Sequence, residues 1–96
     1  MAWCHAAANS GDAVAQWLLG ECLYRGMGAA RDHEQAVAWF RRAAEQGHAG
    51  GQFNLGWCYY RGMGVAKDRA QAVAWYRRAE EQGHADAQTR LRELGE

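Results

Sequence analysis

Few residues in this chain have the types and spacing that chemistry requires. Cys4 beside His5 is the one place where a thiol adjoins a base, the pairing a thiolate nucleophile needs. Cys22 and Cys58 have no histidine at a comparable spacing. Ser10 and Thr89 are the single serine and single threonine, near opposite ends of the chain, and neither lies in a Ser-x-x-Lys or Gly-x-Ser-x-Gly context. His48 and His84 have no cysteine or carboxylate at ligand spacing, so neither a metal nor any other cofactor is expected. The Gly-Met-Gly triplets at 26–28 and 62–64 lack the lysine and hydroxyl residue of a phosphate-binding loop and read as turns. What remains is Glu21, Arg25, Asn54 and Arg61. A hydrolase or transferase would need two of these to converge around a carboxylate of displaced acidity, whereas recognition of a partner needs only that they share a surface with aromatic side chains.

The elements that position these groups come in copies. Residues 11–46 align with 47–82 at a period of 36 with roughly two thirds of the positions identical, and such self-similarity is the mark of a repeat architecture. Trp3, Trp39 and Trp75 fall at the same spacing, so residues 1–10 read as the second half of a preceding repeat and residues 83–96 as the first half of a following one. The 96 residues form one domain of two full repeats with a half repeat at each end. A chain of this length buries only about two thirds of its unfolded surface, which places function on a surface or in a shallow groove. Eleven basic residues balance eleven acidic ones. No dense basic stripe remains to release counterions from nucleic acid, and no run approaches the roughly 18 apolar residues of a membrane span. Nucleic acid and membrane are therefore not expected as partners. Met1 to Ala6 lacks the pattern of a secretory signal, so the expected location is the cytoplasm, or the periplasm or exterior for a fragment of a longer secreted parent.

Apolar residues recur at three- and four-residue steps and never alternate, which predicts an all-α fold. Helices are expected near 2–9, 12–25, 33–46, 49–61, 69–82 and 85–94. Asp32 with Gln35, and Asp68 with Gln71, have capping-box spacing. Gly47 and Gly83 fit the left-handed residue that closes a helix. His48 and His84 stand where the first repeat has Asp12, an N-terminal cap position. Cys22 and Cys58 occupy one repeat position on helices about 8–10 Å apart, too far for a bridge, and are expected as free buried thiols.

Residues 55–83 carry the pattern Leu-Gly-x-x-Tyr-x-x-Gly-x-Gly-Val-x-x-Asp-x-x-x-Ala-x-x-Trp-Tyr-x-x-Ala-x-x-x-Gly, and residues 19–47 carry it nearly complete, with Leu23 for the tyrosine and Ala29 for the valine. In the second copy Glu80 replaces an alanine. This resembles the Sel1-like repeat, a relative of the tetratricopeptide repeat. The resemblance implies a right-handed solenoid of antiparallel helix pairs that acts as an adaptor or scaffold for other proteins, most often in bacteria. Some secreted members are cross-linked by paired cysteines within each repeat; the second cysteine of such pairs is missing here.

The helix over 49–61 sorts into two stripes. Ala49, Gln52, Leu55, Gly56 and Tyr59 form a packing face, with Gly56 allowing close approach of the helix over 69–82. Trp39, Phe40, Trp75 and Tyr76, with Ala36, Ala43, Ala72 and Ala79, form the inner stripe of the second helices. Gly50, Phe53, Asn54, Trp57, Tyr60 and Arg61 form the adjacent stripe of the helix over 49–61, which by resemblance to tetratricopeptide repeats lines a concave groove. The first repeat contributes Val14, Trp17, Leu18, Glu21, Tyr24 and Arg25, and the half repeat Asp86, Thr89, Arg90 and Glu93. The partner-binding set is thus Trp17, Glu21, Tyr24, Arg25, Phe53, Asn54, Trp57, Tyr60 and Arg61, with Trp17 and Phe53 equally suited to filling space between helices. Aromatics beside arginine are the usual composition of interface anchors. Arg25 and Arg61, at one position of successive repeats, would offer forked donors to an acidic or C-terminal peptide. Two other readings stay open: an enzyme with its site in this groove, and self-association through the repeat ends around Trp3 and Cys4. Arg41-Arg42 and Arg77-Arg78 read as a solvated outer face, each pair having a glutamate four residues after its first arginine.

Overall fold

Five of the six helices begin at a side-chain cap. The Asp32 and Asp68 carboxylates accept the backbone N–H of Gln35 and Gln71 ahead of α3 (His33–Glu45) and α5 (Arg69–Glu81). The Gln35 amide returns to the Asp32 carboxylate at 3.1 Å, side chain to side chain. Asp12, His48 and His84 do the same work for α2 (Ala13–Arg25), α4 (Ala49–Arg61) and α6 (Ala85–Glu93), each accepting from the third residue on. An orphan amide of the first helical turn is satisfied in every case. With α1 (Ala2–Asn9) these helices account for all regular structure in the described residues. The computed structural model describes residues 2–26 and 32–95, with side chains from Ala6 onward. The expected turn at Gly26-Met27-Gly28 lies outside the described residues beyond Gly26, as do the side chains of Trp3, Cys4 and His5.

Each helix packs chiefly on its neighbours in sequence, α1 on α2 through to α5 on α6, so the six form an all-α solenoid of antiparallel pairs with extents of 40 × 24 × 17 Å. Gly47 and Gly83 close α3 and α5 in the left-handed conformation, at φ 88° and 84°, where a side chain would be strained. The core repeats with the sequence: Leu19, Leu55 and Leu91 are buried at one repeat position, Ala36 and Ala72 at another, and the fully buried Phe40 of α3 is replaced by Tyr76 in α5. Gly20 and Gly56 let these rings in, since a methyl built on Gly20 would lie 2.7 Å from the Phe40 ring and one on Gly56 2.9 Å from the Tyr76 ring.

A polar clamp fastens one repeat to the next. Buried Gln16 donates to the Ala8 carbonyl of the preceding helix at 3.1 Å and accepts from Gln46 at 2.7 Å. Gln52 does the same with Ala44 at 3.2 Å and Gln82 at 2.9 Å. Gln88 has the same repeat position in α6 but is exposed. Gln52→Leu is expected to cost about 1–2 kcal/mol by removing the buried bond to the Ala44 carbonyl, which keeps the Gly47 N–H, and the tie to the exposed Gln82 amide, whereas Gln88→Leu should stay within about 0.5 kcal/mol of the parent. Urea denaturation of the two variants checks this, and equal stabilities would show the clamp to be inconsequential.

Candidate functional site

Three first helices, α2, α4 and α6, stand side by side, and their facing side chains enclose a hollow of about 180 Å³ lined by Glu21, Tyr24, Arg25, Phe40, Phe53, Asn54, Trp57 and Arg90. Its centre is Trp57. The indole Nε1–H donates to the Tyr24 hydroxyl at 2.9 Å, and that hydroxyl donates onward to Met63 Sδ at 3.1 Å. Two guanidinium groups lie over the indole, that of Arg61 at 5.1 Å and that of Arg90 at 4.9 Å from a ring centroid. Both distances are within cation–π range. The Tyr60 ring is 6.1 Å from Trp57 and lines a second hollow of about 30 Å³ with Tyr76, Arg90, Glu93 and Leu94.

Of the nine residues read from the sequence as partner-binding, six line the main hollow: Glu21, Tyr24, Arg25, Phe53, Asn54 and Trp57. Tyr60 and Arg61 border it through their contacts with Trp57. Trp17 lies outside it: its ring centroid is 5.3 Å from that of His48, it packs against Gly50, and its buried Nε1 has no hydrogen-bond partner among the described residues. Phe53 serves both purposes, lining the hollow while stacking on His84 at 4.8 Å and Tyr76 at 5.5 Å. Sequence reasoning placed Phe40 only in the core and left Arg90 out of the binding set. The missing signal is register. Glu21 meets Asn54, Tyr24 meets Trp57 and Trp57 meets Arg90, so each first helix faces the next at a separation of 33 residues, one helical turn short of the repeat. Equivalent positions 36 apart are therefore not the ones that touch.

Three of the four polar groups considered for catalysis converge. The Asn54 amide donates to Glu21 Oε1, and Arg25 pairs with Glu21 Oε2 at 3.0 Å. Both carboxylate oxygens are thus engaged by protein donors, an arrangement that fixes the groove wall. Arg61 stays apart, over Trp57. The Cys58 thiol is fully buried, and burial, reinforced by the Glu21 charge, pushes its pKa up to about 12, which holds it as an inert thiol. Cys22 is half-buried and also free. Among the described residues no cluster of three histidine, cysteine or acidic side chains could hold a metal, and no helix is long and apolar enough to cross a membrane.

The His48 cap ties this region to pH. Its Nδ1 accepts the Gly51 N–H at 3.0 Å, which requires an unprotonated nitrogen there. Burial lowers its pKa from 6.5, partly offset by the Asp12 charge and assisted by His84. Because the folded value is the lower one, the unfolded chain takes up the proton first as pH falls. The cap's contribution is complete above 6.5 and is lost as pH drops through that value towards the folded one. Melting temperature should therefore fall on acidification from about pH 7.5 to about pH 5.5, and His48→Asp, the residue used in the first repeat, should flatten that slope. An unchanged slope in the variant would locate the titration elsewhere.

The profile of the Sel1 repeat matches residues 13–48 and 49–84, most of the chain. The chain belongs to the Sel1 repeat family. Solved structures agree. A Sel1 repeat protein from Oxalobacter formigenes is 40% identical with a TM-score of 0.95, over 98% of this chain and 27% of that one. A protective antigen of uropathogenic Escherichia coli strains with an SLR fold is 44% identical with a TM-score of 0.88, over 93% and 19%. Helicobacter pylori cysteine rich protein B is 26% identical with a TM-score of 0.84, over 88% and 64%. This chain therefore spans from about a fifth to under two thirds of the length of these relatives. Among curated proteins none matches it. Sel1 repeat proteins are in general protein-interaction modules, typically scaffolds rather than enzymes.

Proposed function

We propose that this Sel1 repeat domain is an adaptor that binds a peptide or an extended segment of a partner protein in the hollow centred on Trp57. The observation that carries the reading is the composition of that hollow: Tyr24, Phe53 and Trp57 supply apolar area, Asn54 and the arginines supply oriented donors, and the space is open to solvent and contributed by successive repeats. The anchors are Trp57, Tyr60 and Arg61, supported by Tyr24 and Arg25. An extended peptide rises about 3.3 Å per residue, so about three residues span the 8–10 Å between neighbouring helices and can meet them in turn. Arg61 and Arg90 both lie over the Trp57 ring and place two cations at the anchor itself, which favours an acidic or C-terminal peptide over a basic one. Location in the cytoplasm accords with the free state of Cys22 and Cys58.

The test is an array of random hexapeptides attached by their N-termini and probed with the folded domain and its variants. Trp57→Ala and Arg61→Ala should lose the bound set, and Arg77→Ala, on the outer surface of α5, should keep it. The opposite pattern would move the binding site to the outer face.

A further inference from the structure

Two arginines of the groove have carboxylate partners, but they are held differently. Glu21, the partner of Arg25, is gripped from two sides, by Arg25 and by the Asn54 amide, and its side chain is 22% exposed. Glu93 accepts from Arg90 Nη1 at 3.1 Å, and its side chain is 58% exposed. A guanidinium carries five N–H donors in a planar fork, and Glu93 engages one nitrogen. The rest of the Arg90 group is kept in place by the Trp57 ring, 4.9 Å away, while lining both the main hollow and the smaller one beside it. The smaller hollow is also lined by Tyr76, whose buried hydroxyl has no hydrogen-bond partner among the described residues.

We propose that Arg90 is the residue of this groove that binds a carboxylate of the peptide partner, and that Glu93 is an internal stand-in for that carboxylate, displaced when the partner arrives. This rests on the groove reading above. Arg25 is the poorer site: its side chain is 62% exposed and stands beside the tightly held Glu21, whereas that of Arg90 is 42% exposed and fixed against the Trp57 ring. Displacing Glu93 breaks one exposed contact, and such pairs add little stability. The gain is larger, since a partner carboxylate facing the open edge of a planar guanidinium can take two parallel bonds. The unsatisfied Tyr76 hydroxyl adds a donor beside the site. The ligand is therefore a carboxylate next to an apolar side chain that enters the main hollow, supplied either by a peptide C-terminus or by an aspartate or glutamate.

The experiment uses hexapeptides in three forms: free C-terminus with neutral side chains, amidated with one acidic residue, and amidated and neutral. Binding of one of the first two forms, and not of the third, is expected, and the form that binds names the source of the carboxylate. Against the best binder, Arg90→Gln should weaken affinity about tenfold or more and Arg25→Gln, which removes only a supporting contact, by about threefold. Glu93→Gln should strengthen affinity about threefold by releasing the guanidinium. Helicity of each variant is checked by circular dichroism. If the neutral amidated form binds as well as the others and Trp57→Ala abolishes that binding, the groove is a binding site and the carboxylate assignment is wrong. Equal losses in Arg25→Gln and Arg90→Gln, or weaker binding by Glu93→Gln, overturn the stand-in role. No binding of any form would overturn this proposal and the groove reading together.

Discussion

Gly56→Leu is expected to destabilise the domain by about 3 kcal/mol, lowering its melting temperature by about 12 °C or more. In an open helix the substitution would be favourable, because leucine is the better helix former by nearly 1 kcal/mol. Packing reverses the sign. A first carbon at this position would already lie 2.9 Å from the Tyr76 ring and 3.2 Å from the Ala72 carbonyl oxygen. The ring is fully buried and the carbonyl belongs to the α5 backbone, so neither can yield without separating α4 from α5. Even Gly56→Ala should be destabilising for this reason, and Gly20→Ala should behave alike against Phe40, where the approach is 2.7 Å. Thermal denaturation followed at the helical signal decides the matter. A melting temperature at or above that of the parent would mean that the two helices tolerate wider spacing.

The glycine shows how much of this fold is legible from the residues. Its position on the packing stripe, opposite the large side chain of the partner helix, follows from repeat alignment and helical periodicity. The same two signals place the helices, whose observed ends at Arg25, Glu45, Arg61, Glu81 and Glu93 fall within a residue of expectation. Caps are equally local: Asp12, His48 and His84 share one turn position, and each accepts the N–H three residues on. Contacts between repeats are harder to read, because they depend on how far one helix slides along the next. Repeat alignment pairs Tyr24 with Tyr60 and Trp57 with Glu93. The helices instead pair Tyr24 with Trp57 and Trp57 with Arg90. A shift of one turn sets Arg90, already read as part of the groove stripe, against Trp57. The glutamine clamp was missed for a similar reason. Gln52 reads as one polar residue on a packing face, and only its separation of 30 residues from Gln82 and 8 from Ala44 explains why a buried amide is tolerated there.

Trp57→Ala is expected to weaken peptide binding by about 2 kcal/mol or more, roughly thirtyfold in affinity, the loss typical of a central aromatic anchor. The indole is engaged on several sides: its N–H holds Tyr24, and the Arg61 and Arg90 guanidinium groups lie within about 5 Å of it. Removing it takes away apolar area and also loosens the two cations beside it, so the loss should exceed that of Arg61→Ala. The indole also contributes to folding, which could mimic a binding defect. Trp57→Phe separates the two effects. It keeps an aromatic face for the peptide and for the cations but loses the bond to Tyr24, costing about 1 kcal/mol of stability while retaining most of the affinity. Stability and affinity therefore move apart in the phenylalanine variant and together in the alanine variant. The measurement is denaturant unfolding alongside titration of each variant with the tightest hexapeptide. Should Trp57→Ala unfold at the parent's midpoint and bind with the parent's affinity, Trp57 is neither a repeat fastener nor an anchor, and the groove reading fails with it.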